Sequence, residues 1–263
     1  MHPMTGMLIV VALLAMGCAS AGGDGREQRA PPPPIAYSWV VSTNVRMDGS
    51  SRRGLRDVRY HVPFTAIDVI PDGEGISPNV HIETTGVTGE QLIREFMRQD
   101  PRYAAVVEGD WVVVMPTGAV ADADYPLNLV VDNIKVTKVS MEELSSAIHL
   151  QLKRSTGKEI YFRLENANLF NKLISIEPEH LTLDLSSRTV RAILLEGSAQ
   201  GGRSLEFLVS HEDGKTIVNY FPHPLGPHWY VVSRPYDIPI PPDILAVLER
   251  RRREGLATPG WGQ

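Results

Sequence analysis

The chain has 263 residues, of which 43% are hydrophobic and 22% charged, and its net charge is −5. This composition supplies enough apolar material for a core and excludes a broad basic face for nucleic acid. The single cysteine excludes an internal disulfide framework and a zinc site built from cysteines.

From Met7 to Met16 the sequence reads MLIVVALLAM. A bilayer takes roughly 20 apolar residues, so this run is too short to span one but fits the core of a signal peptide. It ends in Ala15-Met16-Gly17-Cys18, followed by Ala19-Ser20. This resembles the lipobox of bacterial lipoproteins, with Ala15 standing where Leu is usual and no Lys or Arg before the run. The resemblance implies that residues 1–17 are a signal peptide and that Cys18 becomes a lipidated N-terminus. Two or three acyl chains give stable anchoring where one is marginal. Ala19, not Asp, follows the cysteine, which resembles an outer-membrane sorting signal. Residues 18–36 then read as a tether, rich in Gly, Ser and Arg and stiffened by the Pro31–Pro34 run.

Next come two stretches with the alternation of strands, Tyr37 to Val45 and Arg56 to Val62. A pattern then appears three times. Val80 to Val87, Ile134 to Val139 and Leu181 to Leu185 alternate as half-buried strands. A hydroxyl residue follows each, Thr88, Ser140 or Ser186, placed to cap a helix. Gln91 and Glu143 complete capping boxes in the first two copies; Thr189 stands there in the third. Val87 with Leu92, Val139 with Leu144, and Leu185 with Val190 form hydrophobic staples. The caps are 52 and 46 residues apart, a period that suggests tandem small units. Hairpins are expected at 103–115, around Gly109-Asp110, and at 205–220, around Asp213-Gly214. Lys158 to Leu164 reads as a strand, and Glu165 to Pro178 makes no clean hairpin.

The expected fold is therefore α+β: tandem β-α-β-β modules after a signal peptide and tether. The modules are placed at 37–120, 121–178 and 179–234, followed by an extended segment and C-terminal helix at 235–263. The order strand, "V-S-x-x-E-L" helix, strand, Asp-Gly turn, strand is similar to the short N-terminal domains of secretins and TonB-dependent receptors. Leu181 to Leu195 and Leu205 to Tyr220 carry the best match. The resemblance implies a periplasmic interaction module and no chemistry.

Towards the C-terminus, His228 to Val232 reads as a closing strand. Asp243 is a good cap for a helix over 244–253 that ends in Arg250, Arg251, Arg252 and Arg253. These four arginines are candidate contacts to a partner or to acidic lipid; Lys153 and Arg154 are further surface charges of that kind. There is no P-loop, G-x-S-x-G or H-E-x-x-H, so no catalytic residue, cofactor or metal is expected. His223 and His228 find no third ligand, and Asp122, Asp124 and Asp132 lack the spacing of a calcium loop. Trp39, Trp111, Trp229, Tyr37 and Tyr230 are read as core residues before groove residues. The expected function is that of a non-enzymatic envelope lipoprotein, membrane-bound through its lipid, docking to a protein of a secretin-, pilus- or TonB-type machine. The alternative is a ligand-binding lipoprotein or an enzyme acting on cell-wall or carbohydrate material.

Overall fold

A computed structural model describes residues 33–41, 44–71, 77–165, 181–200 and 203–224. A first module contains α1 (Ile35–Ser38), β1 (Val40–Val41), β2 (Val45–Ser50), α2 (Ser51–His61), β3 (Thr65–Asp68), β4 (Asn79–Thr84), β5 (Val87–Thr88), α3 (Gly89–Gln99), β6 (Tyr103–Glu108), β7 (Trp111–Pro116) and α4 (Thr117–Val120). A second module contains β8 (Val130–Val139), α5 (Met141–Thr156), β9 (Ile160–Leu164), β10 (Leu181–Thr189), α6 (Val190–Gln200), β11 (Arg203–Glu212) and β12 (Lys215–Pro224). Helices and strands are mixed, so the fold is α+β as the sequence implies.

The segments 79–116 and 181–224 are each strand, helix and hairpin, the expected β-α-β-β. Each is preceded by a further strand, helix and strand: β2-α2-β3 before the first, β8-α5-β9 before the second. The repeating unit is therefore β-α-β-β-α-β-β, present twice. Pairing repeats with it. β2 lies antiparallel to β4 with Met47 opposite Ile82, and β8 lies antiparallel to β10 with Val136 opposite Leu183. β3 runs parallel to β7 with Thr65 opposite Val112, and β9 runs parallel to β12 with Ile160 opposite Thr216.

Side chains repeat too. Val80 and Leu181, Thr88 and Thr189, and Gln99 and Gln200 stand 101 residues apart. Thr88 accepts from the Gln91 N–H, and Thr189 accepts from the Ala192 N–H. The Gln99 amide takes the N–H of His81 at 2.7 Å and gives to its carbonyl at 2.7 Å. The Gln200 amide does the same to Thr182, both at 3.0 Å. Each glutamine thus occupies the free edge of a two-stranded sheet, where an open backbone would invite another strand.

Six strands form one mixed sheet in the order β6-β7-β3-β11-β12-β9. Within each module the helix pair packs between this sheet and the two-stranded one. The helices approach closely through glycines. A Cβ on Gly197 would lie 2.8 Å from Leu144 Cδ2, and one on Gly89 would lie 2.0 Å from the Ala36 carbonyl oxygen. The hairpin turns follow their chemistry: Asp213 and Gly214 both have positive φ, as a type I′ turn needs.

Several expectations are corrected. The stretches expected as separate modules at 121–178 and 179–234 interleave, since β8 pairs with β10 and β9 with β12. The third copy is capped by Thr189, not Ser186, because β10 stays paired to β8 through Thr189 opposite Val130. Residues 56–62, expected as a strand, lie almost wholly in helix α2. Ser51, Gly54, Leu55 and Val58 are buried at helical spacing, and that period wins over local alternation. Tyr37 lies in α1 rather than in a strand. The tether expected to reach residue 36 stops sooner, since Ile35 and Ala36 are buried in the core. Cys18, the signal peptide, Trp229, Tyr230, the closing strand at 228–232, the last helix and Arg250 to Arg253 lie outside the described residues.

Candidate functional site: the module junction and the sheet edges

The two modules meet where β3 and β11 pair in parallel, with Ile67 opposite Glu206 and Asp68 opposite Phe207. Val69 N–H donates to the Phe207 carbonyl at 2.9 Å. Above this seam lies a charge cluster around a buried carboxylate. Helix α2 carries Arg52, Arg53, Arg56 and Arg59, and β11 carries Glu206, which is 1% exposed. Arg56 Nε donates to both Glu206 oxygens, each at 3.0 Å. Arg59 lies beside it, its Nη1 donating to Ser204 Oγ at 3.4 Å.

His223 Nε2 is 3.5 Å from Glu206 Oε2, an ion-pair distance at the outer limit of a hydrogen bond. Burial alone would push the Glu206 carboxyl up. His223, Arg56 and the Arg59 charge outweigh it and hold the group down at about 2. Burial lowers the Arg59 guanidinium to about 10, with Glu206 opposing. Burial also lowers His223 below its ordinary value, again against Glu206. An anionic carboxylate under two guanidinium groups is a structural clamp. The same positive charges disfavour a cation at His223, and among the described residues no three metal-ligating side chains come together.

On the other side of the seam, Asp68 is fully buried and accepts from the Tyr125 hydroxyl at 2.5 Å, while its other oxygen has no partner. Burial raises its pKa to about 7, with Tyr125 opposing. Its place beside the β3–β11 pairing puts it at the junction of the two modules. Sequence reading missed Asp68, Arg56, Arg59 and Glu206. For Asp68 and Glu206 the signal was a charged residue inside an apolar strand (Ala-Ile-Asp-Val at 66–69, Leu-Glu-Phe at 205–207), which alternation reads as a solvent face.

The remaining candidates fall elsewhere. Trp111 is buried in the core, edge-on to Phe64 at 5.2 Å between ring centres, and Trp39 is half-buried against the same core. Asp124 pairs with Lys158 at 2.6 Å, and the Asp122 carboxylate accepts the Asp124 N–H at 2.9 Å, which makes a loop, not a cation cage. Lys153 is bound to Glu159 at 2.5 Å. A groove of about 590 Å³ lies between β4 and α3, lined by His81, Glu83, Gln91, Glu95, Arg98 and Gln99 among others. Glu95 is occupied by Arg98 and Gln99, which hold its carboxyl down at about 2.

The outer strands of the six-stranded sheet are β6 and β9. In β6, Tyr-Ala-Ala-Val-Val-Glu, only Glu108 is charged, and it is bound by Arg191 Nε at 2.5 Å. Val107 is 49% exposed. Comparison of the chain with known protein families, with curated proteins and with solved structures finds no match.

Proposed function

We propose that this chain is a lipid-anchored interaction module of the bacterial cell envelope, held at the membrane through Cys18 and docking to a protein of a secretin-, pilus- or TonB-type machine. The observation that carries the reading is a repeated, interaction-type architecture behind a lipobox-like N-terminus. Two of the segments on which the resemblance to secretin and TonB-receptor N-terminal domains rests, 80–115 and 181–220, are the same supersecondary unit used twice, while the third, 125–148, is the preceding strand and helix of the second module. An apolar outer strand such as β6 suits docking by strand addition, in which main-chain hydrogen bonds supply affinity. The alternative, a ligand-binding lipoprotein or an enzyme acting on cell-wall or carbohydrate material, draws on the groove beside α3. It has less support, because Trp111 packs in the core and offers no sugar platform.

Metabolic labelling with a fatty-acid probe, followed by crosslinked affinity capture, tests the proposal. Wild-type protein is expected to take label and to recover an envelope-machine component, and Cys18→Ser is expected to take none. Label on Cys18→Ser, or none on wild type, overturns the anchor. Capture of cell-wall fragments alone favours the alternative.

A further inference from the structure

The two modules are joined head to tail. The outer strand β3 of the first pairs with the outer strand β11 of the second. In the repeat, β9 is the counterpart of β3, and β6 is the counterpart of β11. The two ends of the sheet are thus the same two surfaces that already bind one another at its centre. We infer that the protein assembles head to tail with copies of itself, β9 of one copy adding in parallel to β6 of the next. This goes beyond the envelope reading and does not depend on the lipid.

Backbone polarity fits. At the internal seam Val69 donates to β11. In β9, Glu165 N–H donates inward to Tyr220 at 3.0 Å, so Phe162 and Leu164, the counterparts of Ile67 and Val69, point their amides outward. Val112 N–H donates to Phe64 on the β3 side, so Trp111 faces β6 and pairs with Glu108. Alternation then points the N–H and C=O groups of Ala105 and Val107 outward. The β4 and β10 edges of the two-stranded sheets are occupied by Gln99 and Gln200, a protection that disfavours strand addition there.

The charge clamp of the internal seam is not repeated at the ends. The buried positions Ser51, Gly54, Leu55 and Val58 of α2 match Met141, Leu144, Ser145 and Ile148 of α5. Arg56, which binds Glu206, and Arg59 beside it therefore correspond to Ser146 and His149. Glu206 corresponds to Arg102, just before β6, which Asp100 holds at 2.8 Å. The contact between copies thus rests on strand pairing without a buried ion pair. A heterologous contact of this kind closes into a ring or continues as a filament.

The register places Ala104 opposite Leu164 of the next copy, within reach of a disulfide. The full chain carrying Cys18→Ser is made as two variants, Ala104→Cys and Leu164→Cys, and examined by sedimentation velocity and oxidative crosslinking. Self-association that rises with concentration is expected. Crosslinked dimer should form in the equimolar mixture and not in either variant alone. Val107→Pro, which removes an outward N–H at a position where an edge strand tolerates proline, should weaken association by about tenfold while leaving the circular dichroism spectrum unchanged. Monomeric protein with no mixed crosslink overturns the proposal, as does crosslinking within Ala104→Cys alone, which would mean a two-fold contact. Monomeric protein whose introduced thiol is shielded from a soluble alkylating reagent also overturns it, since the chain's own C-terminal residues would then cover the edge.

Discussion

Asp68→Asn is expected to stabilise the protein at and above neutral pH and to have little effect near pH 4. The Asp68 carboxyl titrates near 7 in the folded chain against an ordinary value of 3.8, because burial opposes its charge more than the Tyr125 hydroxyl supports it. Between those two values the folded state holds a proton that the unfolded state has released. Stability therefore falls as pH rises through this window and levels off above it. At roughly 1.4 kcal/mol per pH unit, the span corresponds to about 4 kcal/mol as an upper bound. Asparagine keeps an oxygen for Tyr125 and carries no charge, so the loss should vanish. Urea unfolding of both proteins at pH 4, 6 and 8 measures it. A wild-type stability that stays flat from pH 4 to 8, or an Asp68→Asn variant less stable than wild type at pH 8, would sink the assignment.

Removing the carboxylate across the seam should do the opposite. Glu206→Ala leaves Arg59 buried without its counter-charge, and the loss of one partner of a buried pair is far costlier than the pair is worth. A destabilisation of about 3 kcal/mol at pH 7 is expected. Glu206 is held near 2 against an ordinary 4.5. Its stabilisation is therefore present above 4.5 and is lost as pH falls from there towards 2. The variant should lack this acid dependence. A Glu206→Ala protein within about 1 kcal/mol of wild type at pH 7 would show that the clamp contributes little. Asp68 and Glu206 together place the stability optimum on the acid side of neutrality.

Much of the local structure was legible in the sequence. The capping boxes at Thr88 with Gln91 and Ser140 with Glu143 form as spelled, because a cap is decided by residues three apart. Both hairpins are in place, since their turns carry Gly109 and Gly214 at positive φ. What failed was long-range. Helix α2 was hidden because Arg52, Arg53, Arg56 and Arg59 dilute its apolar stripe, and half of that charge turns inward to meet a strand some 150 residues away. The period of the repeat was misread for a related reason. The first module begins its strand pair in two pieces, β1 with β5 and β2 with β4, where the second uses unbroken β8 and β10. The caps at 88 and 140 thus belong to non-equivalent helices. The junction carboxylates Asp68 and Glu206 left only an ambiguous local signal, because alternation reads a charge inside an apolar strand as a solvent face.

The seam between β3 and β11 also orders the events of folding. Within the modules, β3 reaches β7 across 47 residues, from Ile67 to Val114, and β9 reaches β12 across 56, from Ile160 to Thr216. The seam joins Ile67 to Glu206, 139 residues apart. Closing the longer loop costs more chain entropy before any contact rewards it. Each module is therefore expected to collapse on its own, with the seam formed last. The clamp would then be absent from the folding transition state, and its loss in Glu206→Ala would appear as faster unfolding, with the rate of folding nearly unchanged. In a chain built this way, Arg56 and Glu206 act as a latch on lifetime, governing how long the six-stranded sheet persists once it has assembled.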